Sequence, residues 1–153
     1  MLVTNHVLSG AVIGATTRRP VHAFVLGVAS HFVLDWAPHW GKFGGGRRML
    51  RVAVPDGLIG LAVMGTMAAV APPEHRAAVL AGMAGAAFPD LDKPSKLFFG
   101  RSPFPPAVDR FHSAIQHEKA RRAHYEATAA VVFGSVALAI LRGRAAKQQR
   151  SKS

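Results

Sequence analysis

An all-α fold, a polytopic membrane bundle of about five helices, is what this sequence predicts, and three observations predict it. Half of the 153 residues are hydrophobic and only 18% are charged, below the usual quarter of a soluble domain. The apolar residues gather in blocks at 2–16, 20–37, 57–71, 77–89 and 127–141, with most of the basic charge between them. The blocks are only weakly amphipathic, and a soluble chain of this length rarely needs five such segments. Each uninterrupted run is about 15 residues, roughly 22 Å of helix against a hydrocarbon core of about 30 Å. With flanking residues, 20–40, 52–71 and 124–142 reach spanning length. One membrane domain over 1–141 is expected, followed by a basic, disordered tail at 142–153.

The first helix should open near Thr4 or Asn5, either of which can cap it, and carries Gly10 and Gly14 in the spacing that lets a neighbouring helix approach closely. No cationic stretch precedes it and Asn5-His6 interrupt it, so it does not read as a cleavable signal. Arg18, Arg19 and Pro20 end this segment. A second helix over 21–36 stops before Pro38, because proline disfavours helical geometry in the residue ahead of it. A loop at 39–51 holds Gly44-Gly45-Gly46 and three arginines. Pro55 and Asp56 suit the first turn of a third helix running to about Ala71. Pro72-Pro73 breaks it, and a fourth helix from Glu74 to Ala87 offers Ala81, Gly82 and Gly85 as a close-packing face. Residues 93–108, with four prolines, read as an irregular connection. A more polar helix starts near Val108 or Asp109, and the uncharged run 127–141 is the last span.

Nineteen Lys+Arg against eight Asp+Glu give a formal charge of +11. Such a charge suits nucleic acid, anionic lipid or the flanks of membrane helices. The cations form no stripe with interleaved aromatics, which argues against a nucleic-acid-binding module. Membrane lipid is the expected partner. Five strict spans would put 11 Lys/Arg on one side and eight on the other, too small an excess to set orientation. The absence of cysteine excludes disulfides and thiolate metal sites, so any metal must be held by imidazole and carboxylate.

Scarce acids and histidines interrupt or flank the apolar blocks, where unpartnered polar groups are costly. His31 and Asp35, spaced i, i+4, lie one turn apart on one helix face. They can share a metal ion, or form a hydrogen bond that fixes the bundle. His39 follows just beyond the helix end, between Trp36 and Trp40, whose indoles suit a membrane interface. Asp90 and Asp92, two residues apart, would point the same way in an extended segment and so toward one metal. His112 and His117 are five residues apart, so one helix would not direct both to a single point unless it broke between them. His6 sits on the first helix, Asp56 is explained by capping, and His22, His75 and His124 read as surface residues. There is no serine nucleophile elbow, P-loop or HExxH string, which leaves metal-activated water as the hydrolytic route.

Thr4-Asn5-His6 with Gly10, SHFVLDWAPHW at 30–40, FPDLDK at 88–93 and FHSAIQHE at 111–118 together resemble the bacterial membrane-bound metal-dependent hydrolases, a family related by proposal to zinc-dependent phospholipase C-like proteins. The resemblance covers residues 4–118. It implies a bacterial inner-membrane location and a divalent metal, zinc first among candidates. It also implies ligands among His6, His31, Asp35, Asp90, Asp92, His112 and His117, with Asp90 and Asp92 catalytic. Ser113, Ala114, Gln116 and Glu118 stand where the family's last string has Arg, Gly, Thr and Ser. The function expected is metal-dependent hydrolysis of an ester or phosphoester, lipid-like in character. The alternative is a noncatalytic membrane protein whose His/Asp cluster fixes helix packing.

Overall fold

The computed structural model describes residues 1–41 and 47–151. The fold is all-helical: α1 (Val3–Thr16), α2 (Pro20–Trp36), α3 (Arg47–Val70), α4 (Pro73–Ala87), α5 (Asp92–Phe99), α6 (Pro106–Ile115) and α7 (Ala123–Arg150). A single 3₁₀ turn, Phe88–Leu91, joins α4 to α5. A two-residue parallel pairing of His39–Trp40 with Glu118–Lys119 straps the segment after α2 to the segment after α6.

At the centre stands α1, with nine of its 14 residues buried and α2, α3, α4 and α7 around it. Small residues make this possible. A Cβ on Gly10 would overlap the backbone of Gly82, and one on Gly14 would overlap Ala78 and Val79. Gly27 and Gly85 play the same part where α2 crosses α4. The small-residue face expected on α4 is therefore there for Gly82 and Gly85, whereas Ala81 is only partly covered. The apolar core is correspondingly small-grained: Val7, Leu8, Ala11, Ala15, Val79, Met83, Ala137 and Leu141 lead it.

Large apolar side chains lie mostly outside. Over its 24 residues α3 buries only Asp56, Gly60 and Met67, and over its 28 residues α7 buries only Glu126, Ala137 and Leu141. Leu58, Ile59, Leu61, Val131 and Val132 face outward. These two helices are long and apolar enough to cross a membrane. At 14, 17 and 15 residues, α1, α2 and α4 are shorter than the ~20 that a straight span needs.

Several element boundaries differ from expectation. Instead of opening at Pro55, α3 begins at Arg47 with Pro55 inside it. Asp56 therefore does not cap its own helix: its carboxylate accepts from Val3 N (2.7 Å) and Thr4 N (3.2 Å), capping α1 from across the bundle. The expected loop at 39–51 is in part helix, and the glycines at 44–46 lie outside the described residues. The connection at 93–108 contains α5, closed by Gly100 at φ 71°, a left-handed position that glycine adopts without strain. The tail expected to be disordered continues α7 to Arg150, in keeping with the helix propensity of its Ala, Lys, Gln and Arg residues. Gln148 there donates to Glu74 on α4 (2.9 Å). His75 is buried rather than on the surface, with Nδ1 donating to Thr17 O at 3.2 Å.

Candidate metal centre

Buried polar groups collect at one end of the bundle, where α1 begins, α2 and α4 end, and α7 begins. Asp35, fully buried in the last turn of α2, is the hub. Its Oδ2 lies 3.2 Å from His31 Nε2, 3.1 Å from His112 Nε2 and 3.2 Å from Gln116 Nε2. Its Oδ1 accepts from His6 Nε2 at 3.1 Å and from the nitrogen of Met1 at 2.6 Å.

Asp90 arrives from the 3₁₀ turn at the end of α4, its Oδ1 3.8 Å from His31 Nε2 and 3.6 Å from His112 Nε2. His31 Nε2 and His112 Nε2 are 2.9 Å apart. His31, Asp35, Asp90 and His112 thus each offer one ligand atom, all within 4.8 Å of one another. A tetrahedral zinc ion with bonds of about 2.0 Å would set such atoms about 3.3 Å apart. The separations that involve an imidazole, 2.9–3.8 Å, bracket that value.

Chemistry agrees with geometry. His31 Nδ1 donates to Ala86 O at 2.8 Å, so in a neutral ring Nε2 carries a lone pair aimed at the other three groups. A lone pair facing a carboxylate and a second imidazole nitrogen calls for a proton or a cation between them. An outer hydrogen bond of this kind is what orients metal-ligating histidines. Two imidazole nitrogens with two carboxylate oxygens suit zinc and the neighbouring divalent transition metals. His6 stacks on His31 with ring centroids 4.0 Å apart, holds Asp35, and leaves its own Nδ1 buried without a partner.

The structure does not bring Asp92 or His117 into this group. Residues 88–91 form a 3₁₀ turn, not an extended strand, and with three residues per turn side chains two apart diverge. Asp92 therefore turns to Lys96 at 2.9 Å, and Lys96 also pairs with Asp109 at 3.1 Å. The helix that carries His112 ends at Ile115. His117 lies past this break, exposed, with Nδ1 donating to Trp36 O at 2.6 Å. Its backbone serves the site instead: His117 N donates to Asp35 O, and His39 N donates to His117 O. His39 is buried but directs Nδ1 to Ala37 O.

Lys93, partly exposed, pairs with Asp90 Oδ1, the least buried group of the cluster. Burial pushes the Asp90 carboxyl up, but Lys93 and the nearby His6 and His31 outweigh it, leaving Asp90 below the ordinary carboxylate range. Burial pulls Lys93 down while Asp90 more than compensates, so the ammonium form is held. Lys96 is raised by its hydrogen bonds to Asp92 and Asp109.

Two residues that matter here escape the motif reading. Gln116 touches both Asp35 and His112; its spacing of four from His112 is the signal that was available. Glu126, buried at the start of α7, accepts from Leu2 N (3.1 Å), Asn5 Nδ2 (2.6 Å) and Trp40 N (3.0 Å). An acid at the head of an otherwise uncharged run, in a chain with eight acids, was its clue.

Fold and site together define a helical bundle with an interior His/Asp ligand cluster and outward-facing apolar helices. No protein-family model matches the chain, and no curated protein or solved structure matches it.

Proposed function

We propose that the chain is a multi-pass, membrane-embedded, divalent metal-dependent hydrolase of an ester or phosphoester, its ion held by His31, Asp35, Asp90 and His112. The observation that carries this reading is the convergence of four ligand atoms from three separate parts of the chain, one of them fixed in its tautomer by Ala86 O. A divalent ion held there would supply a Lewis acid and, with a position beyond the four residues open to water, would lower the pKa of that water toward neutrality.

His31 and His112 contribute neutral donors, and Asp35 and Asp90 the balancing charge. His6 and Gln116 keep Asp35 oriented. Asp90 is the most exposed of the four, and Lys93 beside it attracts an anionic ester. Asp92, turned to Lys96, has no part in this scheme. A noncatalytic cluster that fixes the bundle is the second reading, favoured by the number of hydrogen bonds that Asp35 already receives.

Elemental analysis of detergent-purified protein separates the two. The first reading expects about one zinc, manganese or iron per chain, and Asp35→Ala or Asp90→Ala weakening the affinity by at least about tenfold. Well-folded wild type that stays metal-free after supplementation would refute it. Hydrolysis is tested with a panel of phospholipids and soluble phosphoesters, the same variants losing product formation.

A further inference from the structure

The segment between the two late ligands has its own character. It starts at Asp92, two residues after Asp90, and runs through α5, the turn at Gly100 and α6 to His112. Leu97 is 53% exposed, Phe98 74% and Phe99 77%, while Phe111, 53% exposed, keeps an edge contact with Phe32 of α2 at 5.3 Å. Val108 and, just before α5, Leu91 extend the same outward surface. Contact with the bundle is slight, made through the 3₁₀ turn and a short stretch of α2.

Cations accompany the rings. Lys96, Arg101 and Arg110 are exposed, and with Lys93 they outnumber Asp92 and Asp109. The hairpin is internally braced, since Lys96 joins Asp92 of α5 to Asp109 of α6, and Ser102 Oγ donates to Asp109 Oδ1 at 2.9 Å. An exposed aromatic wedge on a braced amphipathic element, rimmed by Lys and Arg, matches a surface that lies in a bilayer interface. Exposed aromatic rings gathered on two short helices mark an interaction surface.

We propose that α5–α6 is an interfacial hairpin that immerses Leu97, Phe98, Phe99 and Phe111 at the acyl–headgroup boundary and sets Arg101 and Arg110 against anionic lipid headgroups. This rests on the membrane reading above and adds a depth to it. Because the hairpin is bounded by Asp90 and His112, the Asp90 side of the cluster lies at headgroup level. A substrate ester then reaches it from the lipid surface, with no need to leave the bilayer.

The chain has no cysteine, so single-cysteine labelling is clean. Phe98→Cys and, separately, Val131→Cys on α7 are labelled with an environment-sensitive fluorophore in nanodiscs containing phosphatidylglycerol. Both positions are exposed, so neither substitution disturbs the core. The expected result is blue-shifted emission at 98 and about threefold stronger quenching by shallow spin-labelled lipid than by an aqueous quencher. That preference should fall in pure phosphatidylcholine discs, and on adding Arg101→Gln with Arg110→Gln.

A water-like label at 98 beside a lipid-quenched label at 131 would overturn the hairpin proposal and leave the membrane reading standing. Water-like labels at both positions would overturn both. Equal insertion with and without phosphatidylglycerol would refute the role given to the cations.

Discussion

At the scale of single residues, Glu126 carries a burden that its position conceals. Its carboxylate satisfies donors from the start of α1, from Asn5 and from the strap at Trp40. Glu126→Ala leaves those donors buried and unpaired, at about 1–3 kcal/mol for each that finds no new partner. Thermal unfolding in detergent should show a clear loss of stability, with metal content retained once the protein is folded. His117→Ala and Asp92→Ala are expected to keep the ion, whereas His31→Ala and His112→Ala lose it; mass spectrometry of the bound metal checks the contrast. Asp109 adds a pH dependence. Burial raises its carboxyl, but hydrogen bonds from Lys96 and Ser102 leave it lowered. A lowered folded value contributes stability above the unfolded carboxylate range, near 3.9, and loses it as pH falls through the folded value. Proteolysis within 100–105 should therefore speed up as pH drops from 5 toward 3, and Asp109→Asn should be cut faster already at pH 7.

Helix pairs pose a different kind of test. Gly82 packs backbone to backbone with Gly10, so Gly82→Leu must push α4 off α1. Overpacking of this kind costs about 1–3 kcal/mol or more. Gly65 on α3 has open space around it, and Gly65→Ala should be neutral or stabilising by up to about 1 kcal/mol, since alanine is the better helix former. Unfolding curves of the two variants side by side give the answer. The helix contacts were legible in the sequence because GxxxG spacing and an Ala/Gly-rich face announce close approach. The His31–Asp35 pair was legible because helical spacing alone puts the two on one face. Asp90 and Asp92 misled, because the local conformation of Phe88–Leu91 decides whether two carboxylates converge, and Pro89 fits a 3₁₀ turn as well as an extended strand. The start of α3 misled for a related reason: Pro55 suits a first turn, yet a helix tolerates it in the interior when neighbouring elements hold the flanking residues.

Across the whole molecule, buried histidines and acids share the interior with a small-grained apolar core, while many Leu, Val, Ile and Phe side chains are exposed. Sequence composition foretold the apolar excess but not its direction, because segments this evenly hydrophobic carry little record of which face turns inward. The protein should accordingly resist extraction by high salt or carbonate and require detergent. Release into the aqueous fraction by salt alone would contradict the membrane reading. Convergence of three separate parts of the chain on one point was legible only through the ordered motifs, since no local pattern states that residues 31, 90 and 112 meet.

The first helix has its N-terminal donors satisfied by Asp56 and Glu126, residues more than 50 and 120 positions later. Until α3 and α7 are in place, α1 carries bare backbone donors and the unpaired side chain of Asn5. During synthesis it is therefore made before α3 and α7 and completed only after them. Docking of α7 supplies the Glu126 carboxylate, so truncation before residue 126 should destabilise the start of α1 as well as remove the final helix.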